Sequence, residues 1–367
     1  MGMSESIYDL LDAGKKIYVY NQKVVDSYSR RYNHVGEEER LMMYVNGSLG
    51  AYSDAFIMYA IAHMGVATKE SISGFLYALS QKEKQLSIVS ENSKDVLWNR
   101  IRQLCRAGLL FTHMYEVGDA NVALYAVTDV AFTIMRQRLQ KVSMSVNLAF
   151  QYKPLHELIG WACAANVGSI LANHVEFSCY LERVLRTKQI SSAFLPFEMK
   201  AKNKATGGDY YIATLDAFLY QDPLMNTQED YDDKVLYKLN VIKNYVRVRS
   251  VKPGDESYVV VVVRDMADLI AICDFMQNFD HFNDLYSRIY FTGEGILKKL
   301  GSDDAGIGSC FLRKELVCST RESSRVDGLH PGEVAYRKKM KVDDKARGAI
   351  YDYYAYDLVF DKPPFLK

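Results

Sequence analysis

Asn99, Arg102, Gln103 and Arg106 combine side-chain types and spacing that suit the reading of bases. Arginine can pair in bidentate fashion with guanine, and asparagine or glutamine with adenine. At about 100° per residue, Leu97, Ile101 and Leu104 define the apolar face of a helix, so Asp95, Asn99, Arg102, Gln103 and Arg106 fall roughly opposite. Lys94 and Arg100 lie toward the flanks, where the phosphates of a duplex would run. His113 and Asn121, further along, are read as contacts to phosphate or to the minor groove. The same residues are compatible with a solvated polar face, or with a surface that binds another protein.

A second set of residues suggests different chemistry. Glu198-Met199-Lys200 and Asp216 supply the Glu-x-Lys and the acid with which a magnesium-dependent nuclease holds its cation and supports the attacking water. Their order is reversed, because Glu-x-Lys precedes the aspartate, and the segment from Gln221 to Asp233 reads as an acidic loop rather than a second acidic strand. No Gly-x-Gly-x-x-Gly, P-loop or His-Glu-x-x-His pattern occurs. The Gly-rich run Gly301 to Gly308 lacks the lysine of a phosphate loop and reads as a surface loop. The reading is therefore of a protein that leans away from catalysis and needs no cofactor, with Mg²⁺ entering only under the nuclease alternative.

The elements that must carry these residues are legible in the pattern. Ser53-Asp54 opens a first helix through Phe56, Ile57, Tyr59 and Ile61, which stops at Gly65. Thr68 to Ser71 opens a second, with Ile72, Phe75, Leu76 and Leu79 at helical spacing. The third starts near Ser93 and ends at Gly108-Leu109-Leu110. Strands at Leu110 to Val117 and Val122 to Val127 flank Gly118 to Asn121, a loop of hairpin chemistry, and Thr128-Asp129 caps a further helix through Gln140. Three helices followed by a hairpin is the order of a winged helix-turn-helix, in which the third helix enters the major groove and the hairpin reaches the flanking backbone.

The second half alternates differently. Helices at Pro154 to Leu171 and Val175 to Arg186 precede strands at Ala193 to Lys200 and Tyr210 to Tyr220, then a helix from about Asp232 to Val246. Tyr258 to Arg264 is a β-branched run suited to a fully buried strand; a helix through Met266 to Gln277 and a strand at Arg288 to Thr292 follow. A last strand-like segment spans Cys310 to Cys318, before a loop around Gly328 to Gly332 and the basic run Arg337 to Lys341. The expected fold class is α+β with α/β: an N-terminal winged helix-turn-helix, then a mixed-sheet α/β domain resembling a degenerate PD-(D/E)xK nuclease core. The expected segmentation is a lead over residues 1–50, irregular and partly helical, a winged helix over 51–141, the nuclease-like domain over 150–300 and an extension over 301–367.

The run from Leu97 to Leu109, then the hairpin, then Leu124 to Thr128 resembles the winged-helix repressors and replication proteins of bacteria and their mobile elements. Together with Ala172 to Phe177, the strand at Leu215-Asp216-Ala217, the helix from Lys234 to Tyr245 and the strand from Val259 to Arg264, the chain is similar to the replication-relaxation family over about residues 50–300. That resemblance implies a protein of a plasmid or integrative element, acting in replication, mobilisation or their control. Its partners would be double-stranded DNA, a second copy of the chain in a homodimer, and a replication or relaxosome protein.

Composition narrows the setting. The 367 residues carry 45 basic and 45 acidic side chains, so any duplex contact must rest on a local patch rather than on a global positive field. With 49% hydrophobic and 25% charged residues the chain should fold throughout. The cysteines, Cys105, Cys163, Cys179, Cys273, Cys310 and Cys318, are scattered without metal-ligand spacing and read as buried thiols in a reducing, cytoplasmic setting. The apolar run Val259 to Val263 is too short to span a bilayer, and no signal-peptide pattern opens the chain. No membrane partner is expected.

Overall fold

A computed structural model of the chain describes residues 15–19, 51–81, 94–117, 120–128, 131, 155–175, 197–216, 228–250, 252–263, 269, 285, 287–293, 297, 311–319, 338–339, 353–360 and 362–366. The chain divides into two compact units: Met1–Asp216 with Arg247–Ser257 and Phe365–Lys367, and Ala217–Val246 with Tyr258–Pro364. The helices expected over 132–140, 176–186 and 270–277, the loops over 301–308 and 328–332, and the first part, 221–227, of the loop expected from Gln221 to Asp233 lie outside the described residues; from Gln228 onward that expected loop is helical instead.

In the first unit, strand β1 (Lys15–Val19) is followed by helices α1 (Ala51–Met64), α2 (Lys69–Ser80) and α3 (Lys94–Arg106). Strands β2 (Leu110–Val117) and β3 (Ala120–Val127) form an antiparallel hairpin. Thr68 caps α2: its hydroxyl accepts from the Ser71 N–H, and the Ser71 hydroxyl accepts in return from the Thr68 N–H. At the end of α3, Leu109 N–H donates to Leu104 O at 3.0 Å and Gly108 N–H to Cys105 O at 3.0 Å. This closure needs a residue at positive φ, and Gly108 sits at φ 74°. The hairpin is joined to the helices by a two-bond bridge: Ala67 and Tyr125 exchange N–H···O bonds of 2.9 and 2.8 Å.

One stretch departs from the expected irregular lead. Residues Lys15 to Val19 are extended and pair antiparallel with β2, so β2 is the central strand of a three-stranded sheet. The segment Lys-Lys-Ile-Tyr-Val has the β-branched and aromatic content of a strand, but its partner is about a hundred residues away and no local signal announces it.

Helix α4 (Leu155–His174) and strands β4 (Phe197–Lys202) and β5 (Asp209–Asp216) belong to the same unit as α1–α3. α4 is buried on nearly all sides, from Leu158 to Ala172, which fits its almost uninterrupted apolar sequence. Toward α2, Asn166 accepts from the Thr68 hydroxyl at 2.7 Å and Asn173 donates to Gly74 O at 3.3 Å. Toward β5, the Thr214 hydroxyl donates to Ala164 O at 2.8 Å. An aromatic cluster completes the core: His63 stacks on Phe75 at 5.3 Å and meets Phe197 edge-on at 4.9 Å, while its Nε2 donates to Glu198 O at 2.9 Å.

The second unit holds most of α5 (Gln228–Arg249) and a mixed set of strands. β6 (Glu256–Val262) pairs in parallel with β7 (Ile289–Thr292), and β7 pairs antiparallel with β8 (Leu312–Ser319). β10 (Tyr353–Phe360) lies antiparallel between β8 and the short β9 (Lys338–Lys339). Val259 to Val263 are all buried, as an uninterrupted β-branched run should be. Among the described residues no helix is long and apolar enough to cross a membrane.

Candidate nucleic-acid interface

α3 presents two contrasting sides. Leu97, Ile101, Leu104 and Cys105 are buried, and Asn99, Arg102, Gln103 and Arg106 are exposed. The apolar face anchors the helix to α1 and β2, leaving two guanidiniums one turn apart at the surface with an amide beside each. Lys94 and Asp95 occupy the first turn of α3, and Asn121 stands opposite Glu116 beside the hairpin turn; the side chains of these three lie outside the described residues.

Arg100 is placed differently from its expected role at a phosphate. Its Nε and Nη2 donate to the two carboxylate oxygens of Asp54 on α1, and its Nη1 donates to Gln103 Oε1. Asp54 is fully buried, whereas the Arg100 side chain keeps 22% of its surface exposed. A bidentate pair between helices fixes the rotation and tilt of α3, so Arg100 acts as a brace that sets where Arg102 and Arg106 point. His113 also departs from its expected surface role. It is 2% exposed, on the central strand β2 between Val19 of β1 and Leu124 of β3, and cannot meet a duplex from there.

The surroundings of α3 add one cation that periodicity did not single out. Lys69, exposed at the first turn of α2, stands 5.5 Å above the Trp98 ring, and Trp98 itself is half-buried. The signal available in the sequence was the Thr68 cap, which puts the following residue on an exposed first turn. Beneath the helix, burial pushes the Cys105 thiol up to about 11, opposed by its hydrogen bond to the Thr112 hydroxyl. Burial likewise raises the Tyr125 phenol well above its ordinary value, helped by Cys105 and Glu70 and opposed by the nearby charge of Arg102.

The nuclease-like residues do not gather. β4 and β5 pair with Glu198 opposite Ala213, Lys200 opposite Tyr211 and Phe197 opposite Thr214. Side chains alternate along a strand, so Glu198 and Lys200 lie on one face of the hairpin, and Asp216 lies on the other with Thr214 and Phe197. Each is also engaged. Arg249 Nη2 donates to Glu198 Oε2 at 3.0 Å, with Nε 2.8 Å from Oε1. Lys200 Nζ lies 2.6 Å from Asp209 Oδ2 and 5.3 Å from the centre of the Tyr211 ring. Asp216 is packed against α4, where a β-carbon on Gly160 would come within 2.5 Å of its Oδ2. These three residues therefore do not fit a shared Mg²⁺ site. Among the described residues no other group of three or more His, Cys, Asp and Glu stands close enough to hold a metal ion.

No family model, curated protein or solved structure matches the chain.

Proposed function

We propose that residues 51–127 act as a winged helix that docks double-stranded DNA, with α3 in the major groove and the β2–β3 hairpin along the flanking backbone. Asn99, Arg102, Gln103 and Arg106 face the base edges in this reading, and Arg100 holds the helix at its angle through Asp54. The observation that carries it is the outer face of α3: two arginines and two amides exposed together on a helix whose opposite face is buried. Placement on a plasmid or integrative element, in replication, mobilisation or their control, is part of this reading and rests on the spelling of the short motifs alone, since no family model matches the chain. Action in the cytoplasm is supported by Cys105 and Cys163, two buried cysteines that suit a reducing compartment.

The test is binding by the full chain to a duplex selected from a random-sequence pool. Arg102→Ala and Arg106→Ala are each expected to weaken that binding by about 1–3 kcal/mol and to relax preference at the bases they contact. A folded double variant that binds the selected duplex with unchanged affinity would remove α3 as the reader, and would leave its outer face as a surface for another protein.

A further inference from the structure

We infer that Glu70, on the first turn of α2, reads a cytosine in the major groove beside the base contacted by Arg102. The inference rests on the α3 reading in taking duplex DNA as the partner, and adds a specificity residue from outside α3 together with the base it selects. Glu70 and Arg102 are both exposed. Among the described residues neither has an ion-pair partner. The carboxylate and the guanidinium are therefore both presented outward, on two helices that meet at this point.

Contacts from both sides hold the first turn of α2 next to Arg102. On the side of α3, Lys69 Nζ stands 5.5 Å from the centre of the Trp98 ring, and Trp98 lies one turn before Arg102 on the same stripe of the helix. On the side of the hairpin, Ala67 and Tyr125 exchange their two backbone bonds immediately ahead of this turn. Tyr125 is paired across the hairpin with Thr112, whose hydroxyl lies 3.1 Å from Cys105 Sγ. Trp98, Arg102 and Cys105 follow one another at helical spacing, so the stripe that carries Arg102 runs from Lys69 at one end to the Thr112–Tyr125 pair at the other. The phenol of Tyr125, 7% exposed, agrees with this placement: Glu70 and Arg102 both act on it, in opposite senses, so both charges lie near its hydroxyl.

The chemistry of a carboxylate at this place selects its partner group. It cannot serve the backbone, where each phosphate repels it. It can only accept hydrogen bonds, and the donors that a duplex offers in the major groove are the amino groups of cytosine and adenine. Adenine presents its amino group beside the N7 acceptor of the same base, which repels a carboxylate, whereas cytosine presents N4 without such a neighbour. Arginine in turn favours guanine, so Arg102 and Glu70 together specify guanine and cytosine at adjoining positions. Sequences without that cytosine leave the carboxylate desolvated and unpaired, which raises selectivity while lowering affinity for all other duplexes.

The experiment takes the full chain and its Glu70→Ala, Glu70→Gln and Arg102→Ala variants, and measures binding to the selected duplex, to that duplex with each base pair changed in turn, and to random duplex. Glu70→Ala is expected to stay folded and to bind random duplex about two- to fivefold more tightly at low salt, because a charge that repels phosphate is gone. It should also lose about tenfold of discrimination at one C·G pair next to the position relaxed by Arg102→Ala. Glu70→Gln, of the same size without the charge, should move that position from cytosine toward adenine, since an amide both donates and accepts. If both Glu70 variants bind all duplexes more tightly with the base preference unchanged, Glu70 serves only the dipole of α2, and the inference is overturned while the α3 reading stands. If the Glu70 variants change the preference and Arg102→Ala does not, Glu70 stands and Arg102 leaves the set of reading residues. A wild-type chain that binds no duplex overturns both.

Discussion

The outer face of α3 and the charged face of the β4–β5 hairpin carry the same kinds of side chain to opposite ends. On the hairpin, Glu198 closes on Arg249, and Lys200 on Asp209, with Tyr211 beneath both cations at 5.3 Å. Among the described side chains of α3, Arg100 is held this way, by Asp54, while Arg102 and Arg106 are exposed. Charge types that look like a catalytic pattern can thus be absorbed by the fold, whereas an apparently ordinary solvated face can be the part left available. What separates the two is the partner set that tertiary structure supplies, since residue type and spacing are alike suggestive in both.

The severest challenge to this contrast is to remove one member of the buried hairpin pair. Glu198→Ala leaves the Arg249 guanidinium, 9% exposed, without its carboxylate, and should destabilise the chain by about 3–5 kcal/mol in chemical denaturation. Replacing both members by apolar residues of similar size, Glu198→Met with Arg249→Leu, should cost less than the single change, because no charge is then stranded. A near-zero cost for Glu198→Ala would mean that its carboxylate is not structural, and would reopen the nuclease reading. Plasmid incubated with Mg²⁺ supplies the matching check, and is expected to remain intact.

A smaller effect separates Arg100 from its neighbours on α3. Arg100→Ala leaves buried Asp54 without these charge-assisted bonds and should cost about 1.5–3 kcal/mol of stability. Its effect on DNA binding should follow from a loosened α3, so that specific and random duplexes are affected unequally and the salt slope stays near the wild-type value. If instead stability is unchanged and the slope falls by about one, Arg100 touches phosphate and the brace is incidental.

These contrasts mark what a sequence can and cannot carry. The helical face of α3 was legible because burial of Leu97, Ile101 and Leu104 depends on a local period, and the stop at Gly108 on a local conformation. The strand at Val259 to Val262 was legible for the same reason, as an uninterrupted β-branched run. The Asp54–Arg100 pair joins residues 46 apart, and the pairing of β1 with β2 spans a still longer separation, so neither has a local signature. His113 was read as a contact to phosphate or minor groove because a hairpin in this place usually meets the nucleic-acid backbone; it is 2% exposed, a burial set by tertiary packing that no local pattern announces. Strand β10, which pairs with β8 along its whole length, was not expected at all, since its tyrosine-rich spelling, Tyr-Tyr-Ala-Tyr-Asp-Leu-Val-Phe, has no strict alternation.

A weaker effect, confined to the ends of the pH range, tests whether the hairpin charges act as a unit. Asp209 is held below the ordinary carboxylate range, so its stabilisation is fully present above the unfolded value of about 3.9 and is lost as pH falls through its lower folded value. Lys200 is opposite in sign. Burial alone would lower it, but the hydrogen bond and charge of Asp209, with Tyr211, leave it raised, so its share persists below about pH 10.4 and is lost as pH climbs through the folded value. Asp209→Asn should therefore flatten the stability profile at both ends. A variant with wild-type slopes below about pH 4 and above about pH 10 would show that the two groups do not stabilise one another.

The smallest expected change is the most discriminating for function, and it concerns the side chains that the fold leaves exposed. Arg102→Ala, Arg106→Ala and Asn99→Ala should each alter stability by no more than about 0.5 kcal/mol, because none of the three is buried. Gln103→Ala removes the acceptor of one Arg100 bond, yet the carboxylate of Asp54 still holds that guanidinium through two others, so its cost should stay near the same limit. Arg102 carries one further link, since its charge offsets part of the rise in the Tyr125 phenol. At neutral pH that phenol is protonated with or without Arg102, so the link contributes nothing to stability there. Melting temperatures of the four alanine variants that match the wild type, alongside a clear loss for Arg100→Ala, would establish that α3 is held by one arginine and presents the other two. A loss of more than about 1 kcal/mol for Arg102→Ala or Arg106→Ala would mean that these side chains are packed as those of the hairpin are, and the contrast between the two regions would close.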